Sequence, residues 1–185
     1  MFDSAYHENV FVAEPCGNLV KRNALREKGY STEGKQAYAG REFLASIDER
    51  FRPVNLHNGP DGAIYVVDMY RGIIQHRTYL TSYLKKEIEK RGLTTPLNCG
   101  RIYKVAPAGK TVKPVLMPHE PLALVNLLKD KNGWIRDKAQ QMLVDGKMIS
   151  VQPELRKYLK ESSDPVRVVH AMWTLEGLGI LQYED

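Results

Sequence analysis

Between Phe51 and Tyr70 the chain reads FRPVNLHNGPDGAIYVVDMY, and few folds can accommodate that stretch. Ile64, Tyr65, Val66, Val67 and Met69 form a nearly unbroken apolar run behind the turn Gly59-Pro60-Asp61-Gly62. Pro60 pre-sets φ for the first central turn position, Asp61 can bond its own following backbone, and Gly62 tolerates positive φ. Phe51 to Leu56 is the strand entering that turn, so the stretch predicts a β-hairpin. The exit strand is apolar at successive positions rather than alternating, so both of its faces need cover. Left wet, two or three of those side chains would each forgo roughly 1.5–3 kcal/mol. A total stability of about 5–15 kcal/mol cannot absorb that, so the hairpin is expected inside a stack of sheets.

On either side of the hairpin the pattern is less emphatic. Val10 to Ala13 and Asn18 to Leu25 read as strands joined by the turn EPCGN. Arg26 to Ala39 is polar and is expected to be a loop, and Gly40 to Ser46 an outer strand. Thr78 to Arg91 reads as a helix, with Leu80, Tyr83, Leu84 and Ile88 at helical spacing and Gly92 placed to end it. Arg101 to Ala106 is a further strand, expected to pair with Ala63–Tyr70. Pro107 to Pro121 holds four prolines and separates two unlike halves.

From Leu122 the apolar period changes from two to about 3.6, and four helices follow. The segments LLKDKNGWIRDKAQQML and YLKESSDPVRVVHAMWTL share an order of Leu-Lys-acidic, turn, apolar-Arg and apolar helix. Their offset of about 31 residues is near the armadillo/HEAT length class. Two such units cannot bury both open faces, so the repeat must continue or lean on the β part.

Composition excludes several classes. With 43% hydrophobic and 26% charged residues the chain is that of an ordinary globular protein. The net charge of +5 is mild, and the densest basic group (Lys85, Lys86, Lys90, Arg91) alternates with Glu87 and Glu89, which argues for a solvated helix face rather than a nucleic-acid patch. No run of 18 apolar residues spans a membrane, and Met1 is followed by Phe2-Asp3-Ser4 rather than a signal peptide. The expectation is a cytoplasmic protein or a piece of a longer secreted one. Cys16 and Cys99 could form one disulfide; with no CxxC, zinc or haem-attachment spacing, two unpaired, partly buried thiols are the simpler reading.

With both halves placed, FVAEPCGNLVKR, REFLASIDERFRPVNLHNGPDGAIYVVDMYRGIIQH, TYLTSYLKKEIEKRG, GRIYKVAP and NGWIRDKAQQML resemble the closing part of the membrane-bound dehydrogenase β-propellers. Those proteins are similar to glucose/sorbosone, quinoprotein-type dehydrogenases and are often followed by HEAT-like repeats. The resemblance covers roughly residues 8–180. It implies an α+β chain, β then α. Residues 1–116 would hold antiparallel strands of about two propeller blades, with a helical insertion at about 78–91, and residues 117–185 HEAT-like helical repeats. The last blade would use Phe51–Pro53, Ala63–Tyr70, Arg101–Ala106 and Thr111–Leu116; Val10–Ala13, Asn18–Leu25 and Gly40–Ala45 would belong to the blade before. A whole propeller has about four to eight blades, so upstream blades of a parent chain are the implied partners, and self-association the expected behaviour of the piece alone.

The same resemblance implies a periplasmic or extracellular sugar dehydrogenase as parent. It would bind pyrroloquinoline quinone with calcium and oxidise an aldose-type alcohol. Arg50, Arg52 and Arg71 are the candidate cofactor-binding residues, since Arg suits the cofactor's carboxylates, and Asp68 is the candidate metal ligand. Each has a plainer role available. Arg52 could bond loop carbonyls, and Asp68 in a buried strand could form an ion pair with Arg71. His76 has no partner at ligand spacing, and His57 and His170 suit loop and helix packing. The general-base histidine of that class comes from earlier blades, so no catalytic residue is assigned and this chain alone is expected to be inactive. The competing reading is a non-catalytic scaffold, or a module binding a glycan or a protein.

Overall fold

The computed structural model describes residues 2, 4–109, 111 and 113–185. The chain divides into two units, one of Met1–His57 with Ala63–Lys110 and the other of Asn58–Gly62 with Thr111–Asp185. Strands come first and helices after, so the fold is mixed α+β, as expected.

In the first unit, β1 (Asn9–Glu14) pairs antiparallel with β2 (Leu19–Lys28) around the turn Pro15–Asn18. Asn18 takes the left-handed conformation (φ 56°) that a short amide side chain tolerates. The segment 26–39, expected as a loop, is instead a second hairpin. β2 runs on to Lys28 and turns at Gly29 (φ 61°) and Tyr30 into β3 (Ser31–Gln36). β3 is exposed throughout, so apolar periodicity could not reveal it; backbone pairing and the glycine turn define it. The outer strand expected over 40–46 shrinks to β4 (Leu44–Ala45), which pairs with Leu19 and Val20 of β2 on the same side as β3.

The second sheet has the order β5 (Pro53–Asn58), β6 (Ile64–Asp68), β7 (Arg101–Val105). β7 pairs antiparallel with β6, from Ile64↔Val105 to Asp68↔Arg101, as the sequence predicts. Val20 of the first sheet packs with Ile64 and Val66 of the second, and Phe11, Phe43, Leu44, Leu56 and Val105 close around them. β6 does not have both faces sealed. Ile64, Val66 and Asp68 are buried, while Tyr65 and Val67 are half-buried and Ile102, opposite Val67, is exposed. The cover expected on that second face is therefore incomplete within this chain.

The helix expected over Thr78–Arg91 is two pieces, a 3-10 turn at Arg77–Tyr79 and α1 (Ser82–Lys90). Thr81 Oγ1 accepts the Leu84 N–H and fixes the start of α1, and Gly92 (φ 61°) follows its end. No residue of α1 is buried, and Tyr83 and Leu84 are exposed. Thr111–Leu116 forms no strand: its described residues lack regular structure, and Val112 lies outside them.

The second unit is helical: α2 (Pro121–Leu127), α3 (Gly133–Asp145), α4 (Gln152–Glu161) and α5 (Pro165–Gly177). Each of the first-turn prolines of α2, α4 and α5 sits where the missing N–H costs nothing. Glu120, Asn132 and Asp164 cap α2, α3 and α5 with their side chains. Asn132 also donates from Nδ2 to the Gly59 carbonyl at 2.8 Å, and Val115 N–H reaches the Pro60 carbonyl at 3.3 Å. Leu124, Leu128, Leu143, Leu155 and Leu175 are fully buried and dominate the core, where α2 packs on α3, α4 on α5, and α3 on α5.

Candidate functional site

Three strand ends meet at one edge of the second sheet: the start of β5, the end of β6 and the start of β7. The antiparallel register brings Asp68 opposite Arg101, and Arg52 stands one residue before β5. Sequence separation hid this grouping; strand pairing creates it.

Asp68 is 1% exposed. Its Oδ1 accepts the Arg52 N–H at 2.7 Å and the Tyr70 N–H at 2.8 Å. The ion pair expected between Asp68 and Arg71 is not formed, because the carboxylate turns to these backbone donors while the Arg71 side chain is exposed. Charge-assisted bonds from backbone N–H groups satisfy one oxygen of a buried carboxylate without the desolvation of a second ion. Asp68 Oδ2 is buried with no hydrogen-bond partner among the described residues.

Arg52 fills the plainer of its two expected roles. Nε donates to the Arg71 carbonyl at 3.0 Å, Nη1 to the Pro15 carbonyl at 2.7 Å, and Nη2 to the Gly72 carbonyl at 2.8 Å. The guanidinium thus ties the β1–β2 turn to the chain leaving β6. Gly72 has to be glycine for this path, since a Cβ would stand 2.4 Å from the Leu93 carbonyl oxygen. Arg50 does similar work one step away, from Nε to the Thr95 carbonyl and from Nη2 to the Gly92 carbonyl, each at 3.0 Å. Asn18 completes the knot, with Nδ2 on the Phe51 carbonyl at 2.6 Å.

Residues not singled out in the sequence sit beside them. Asp48 Oδ1 accepts the Arg50 N–H at 2.9 Å, and its Oδ2 accepts the Tyr70 hydroxyl at 2.9 Å. The Arg50 N–H, ahead of the Tyr70 hydroxyl and the Arg50 and Arg101 charges, holds the Asp48 carboxyl below its ordinary value against the opposing pull of burial. The same Asp48–Tyr70 bond raises the Tyr70 phenol. Arg101 lies over the Tyr70 ring, 3.5 Å from its centroid, a cation–π contact. A signal for Asp48 and Asp68 was present: each bonds the N–H two residues ahead, the local turn that Asp favours.

The remaining candidates lie elsewhere. His76 Nδ1 accepts the Thr78 N–H at 3.3 Å, and His57 is exposed. His170 accepts from Arg136 Nε at 3.2 Å and faces Gln140 Oε1 at 2.8 Å. Cys16 and Cys99 are both free thiols, but only Cys99 is partly buried, and Cys16 in the β1–β2 turn is exposed. Among the described residues no three His, Cys, Asp or Glu side chains gather as a metal site would need.

A family model described as a domain of unknown function, DUF7133, matches residues 1–109. The chain belongs to the DUF7133 family. The DUF7133 match takes in both sheets, α1 and every member of the Asp48–Arg52–Asp68–Arg101 group, and stops before the helical unit. No curated protein and no solved structure matches the chain.

Proposed function

We propose that this chain supplies the closing strands and first HEAT-like repeats of a larger β-propeller protein of the quinoprotein-like sugar dehydrogenase kind, at the cell envelope. The observation that carries the reading is β6: one face is sealed by the first sheet, while Tyr65, Val67 and Ile102 leave the other part-covered. A blade within a propeller has a neighbour on each face, and an apolar strand with one neighbour is suited to receive a second.

In this reading the chain's own part is structural. Arg50 and Arg52 do not fit the task of holding a quinone's carboxylates, since their guanidinium groups are spent on loop carbonyls. Of the three candidate arginines, Arg71 is the exposed one and is left to face a ligand. No step through the cofactor follows from these residues. Their commitment also favours the second reading, a non-catalytic propeller and helical scaffold.

Dye reduction by the full-length parent, with pyrroloquinoline quinone, calcium and a panel of aldoses, separates the two. The enzyme reading expects quinone-dependent reduction by the parent, weakened in Arg71→Ala, and no quinone-dependent melting shift for this chain alone. No quinone-dependent turnover by the parent leaves the scaffold.

A further inference from the structure

The helical unit carries a groove that the reading above leaves unused. Asp137, Val144 and Asp145 of α3 face Trp173, Glu176 and Gly177 of α5 around an open volume of about 470 Å³. Gly177 permits the close approach, for a Cβ there would meet a Val144 methyl at 2.8 Å. Trp173 is 59% exposed, although an indole usually covers most of its area. Val166, Val169 and Trp173 follow one another at i, i+3 and i+7 and are all exposed, so the groove opens onto an apolar stripe along α5.

The charged side chains lining the groove are all acidic. Asp145 and Glu176 enter no ion pair among the described residues, and Asp137 has only His170, at 4.0 Å. Of the two cations of α3, Arg136 is turned onto His170 Nε2 at 3.2 Å and the Asp130 carbonyl at 2.7 Å, and Lys138 onto Gln141 Oε1 at 3.0 Å. An exposed aromatic face within an anionic rim suits a cation that also has an apolar stem. Nucleic acid and anionic lipid would be repelled by the same rim.

We propose that this groove binds a basic, apolar peptide segment of a partner protein. An arginine of that segment stacks on Trp173 with its guanidinium toward Asp145 and Glu176, and neighbouring apolar side chains lie on Val166 and Val169. The whole chain carries +5, so a cationic peptide gains nothing from the overall field and must be held locally.

The test titrates the full chain with a fluorescently labelled peptide of alternating arginine and leucine, against one of alternating glutamate and leucine. Saturable binding of the arginine peptide alone is expected. Trp173→Ala should weaken it about threefold, the scale of an exposed cation–π contact. The Asp145→Asn/Glu176→Gln pair should weaken it about tenfold at low salt, with that difference fading as salt screens the rim. All three side chains are exposed, and unchanged melting temperatures verify that the variants fold. The inference is overturned if binding does not saturate, if the charge-neutral pair binds as well as the parent sequence, or if the glutamate peptide binds equally. It is overturned too if sedimentation shows a dimer that Trp173→Ala dissolves, because the groove then belongs to a second copy.

Discussion

Arg52 shows how a buried cation can be structural. The residue is 8% exposed, and its three guanidinium nitrogens donate to the Pro15 carbonyl on one side and to the adjacent Arg71 and Gly72 carbonyls on the other. Arg52→Ala would leave the Pro15, Arg71 and Gly72 carbonyls without that donor, a loss of about 2–4 kcal/mol for bonds to a charged group. Arg52→Lys should recover little, because an ammonium cannot span three carbonyls as a planar fork does. Urea unfolding followed by circular dichroism measures both. Asp48 adds a pH dependence. Its folded pKa is depressed, so its contribution is complete above the ordinary carboxylate value of 3.8 and is lost as pH falls through the lower, folded one. The urea midpoint should therefore fall as the pH drops below about 4, and less steeply in Asp48→Asn. The sequence exposed Arg52 and Asp68 as candidates but misassigned the latter's partner. Spacing points to the nearest opposite charge, Arg71, whereas folding offers Asp68 two backbone N–H groups that no residue pattern advertises.

Single elements were legible to the extent that their apolar residues recur. The Gly59–Gly62 turn, β6, β7 and the four late helices all lie close to where periodicity predicts them. β3 was invisible because it buries nothing, and α1 looked amphipathic yet has no buried residue. Caps decided several boundaries, and Asn132 is the most consequential of them. It is 6% exposed, caps α3 through the Trp134 N–H at 3.1 Å, and holds the Gly59 carbonyl. Asn132→Ala should cost about 1–2 kcal/mol from the cap, plus the orphaned carbonyl. Asn132→Asp would keep the cap alone, so the difference between its thermal midpoint and that of the unaltered chain isolates the Gly59 bond.

For the molecule as a whole, the order of strands before helices was readable from the change of period near Leu122. The degree of cover on β6 was not, since an apolar strand reports what it needs and not what it receives. β7 is an edge strand with Ile102 66% exposed, and unpaired edges with apolar side chains invite pairing between copies. Light scattering should show concentration-dependent association of this chain, reduced by Ile102→Lys. A monomer at all concentrations would remove the reason to look for a covering neighbour. The β2–β3 hairpin has the opposite character: it reaches outward, polar on both sides, and turns at Gly29-Tyr30 with nothing buried in β3. Exposed tips of that kind accept extra sequence. An affinity tag or a fluorophore spliced between Gly29 and Tyr30 should therefore give a handle for immobilising the protein that leaves its melting behaviour untouched.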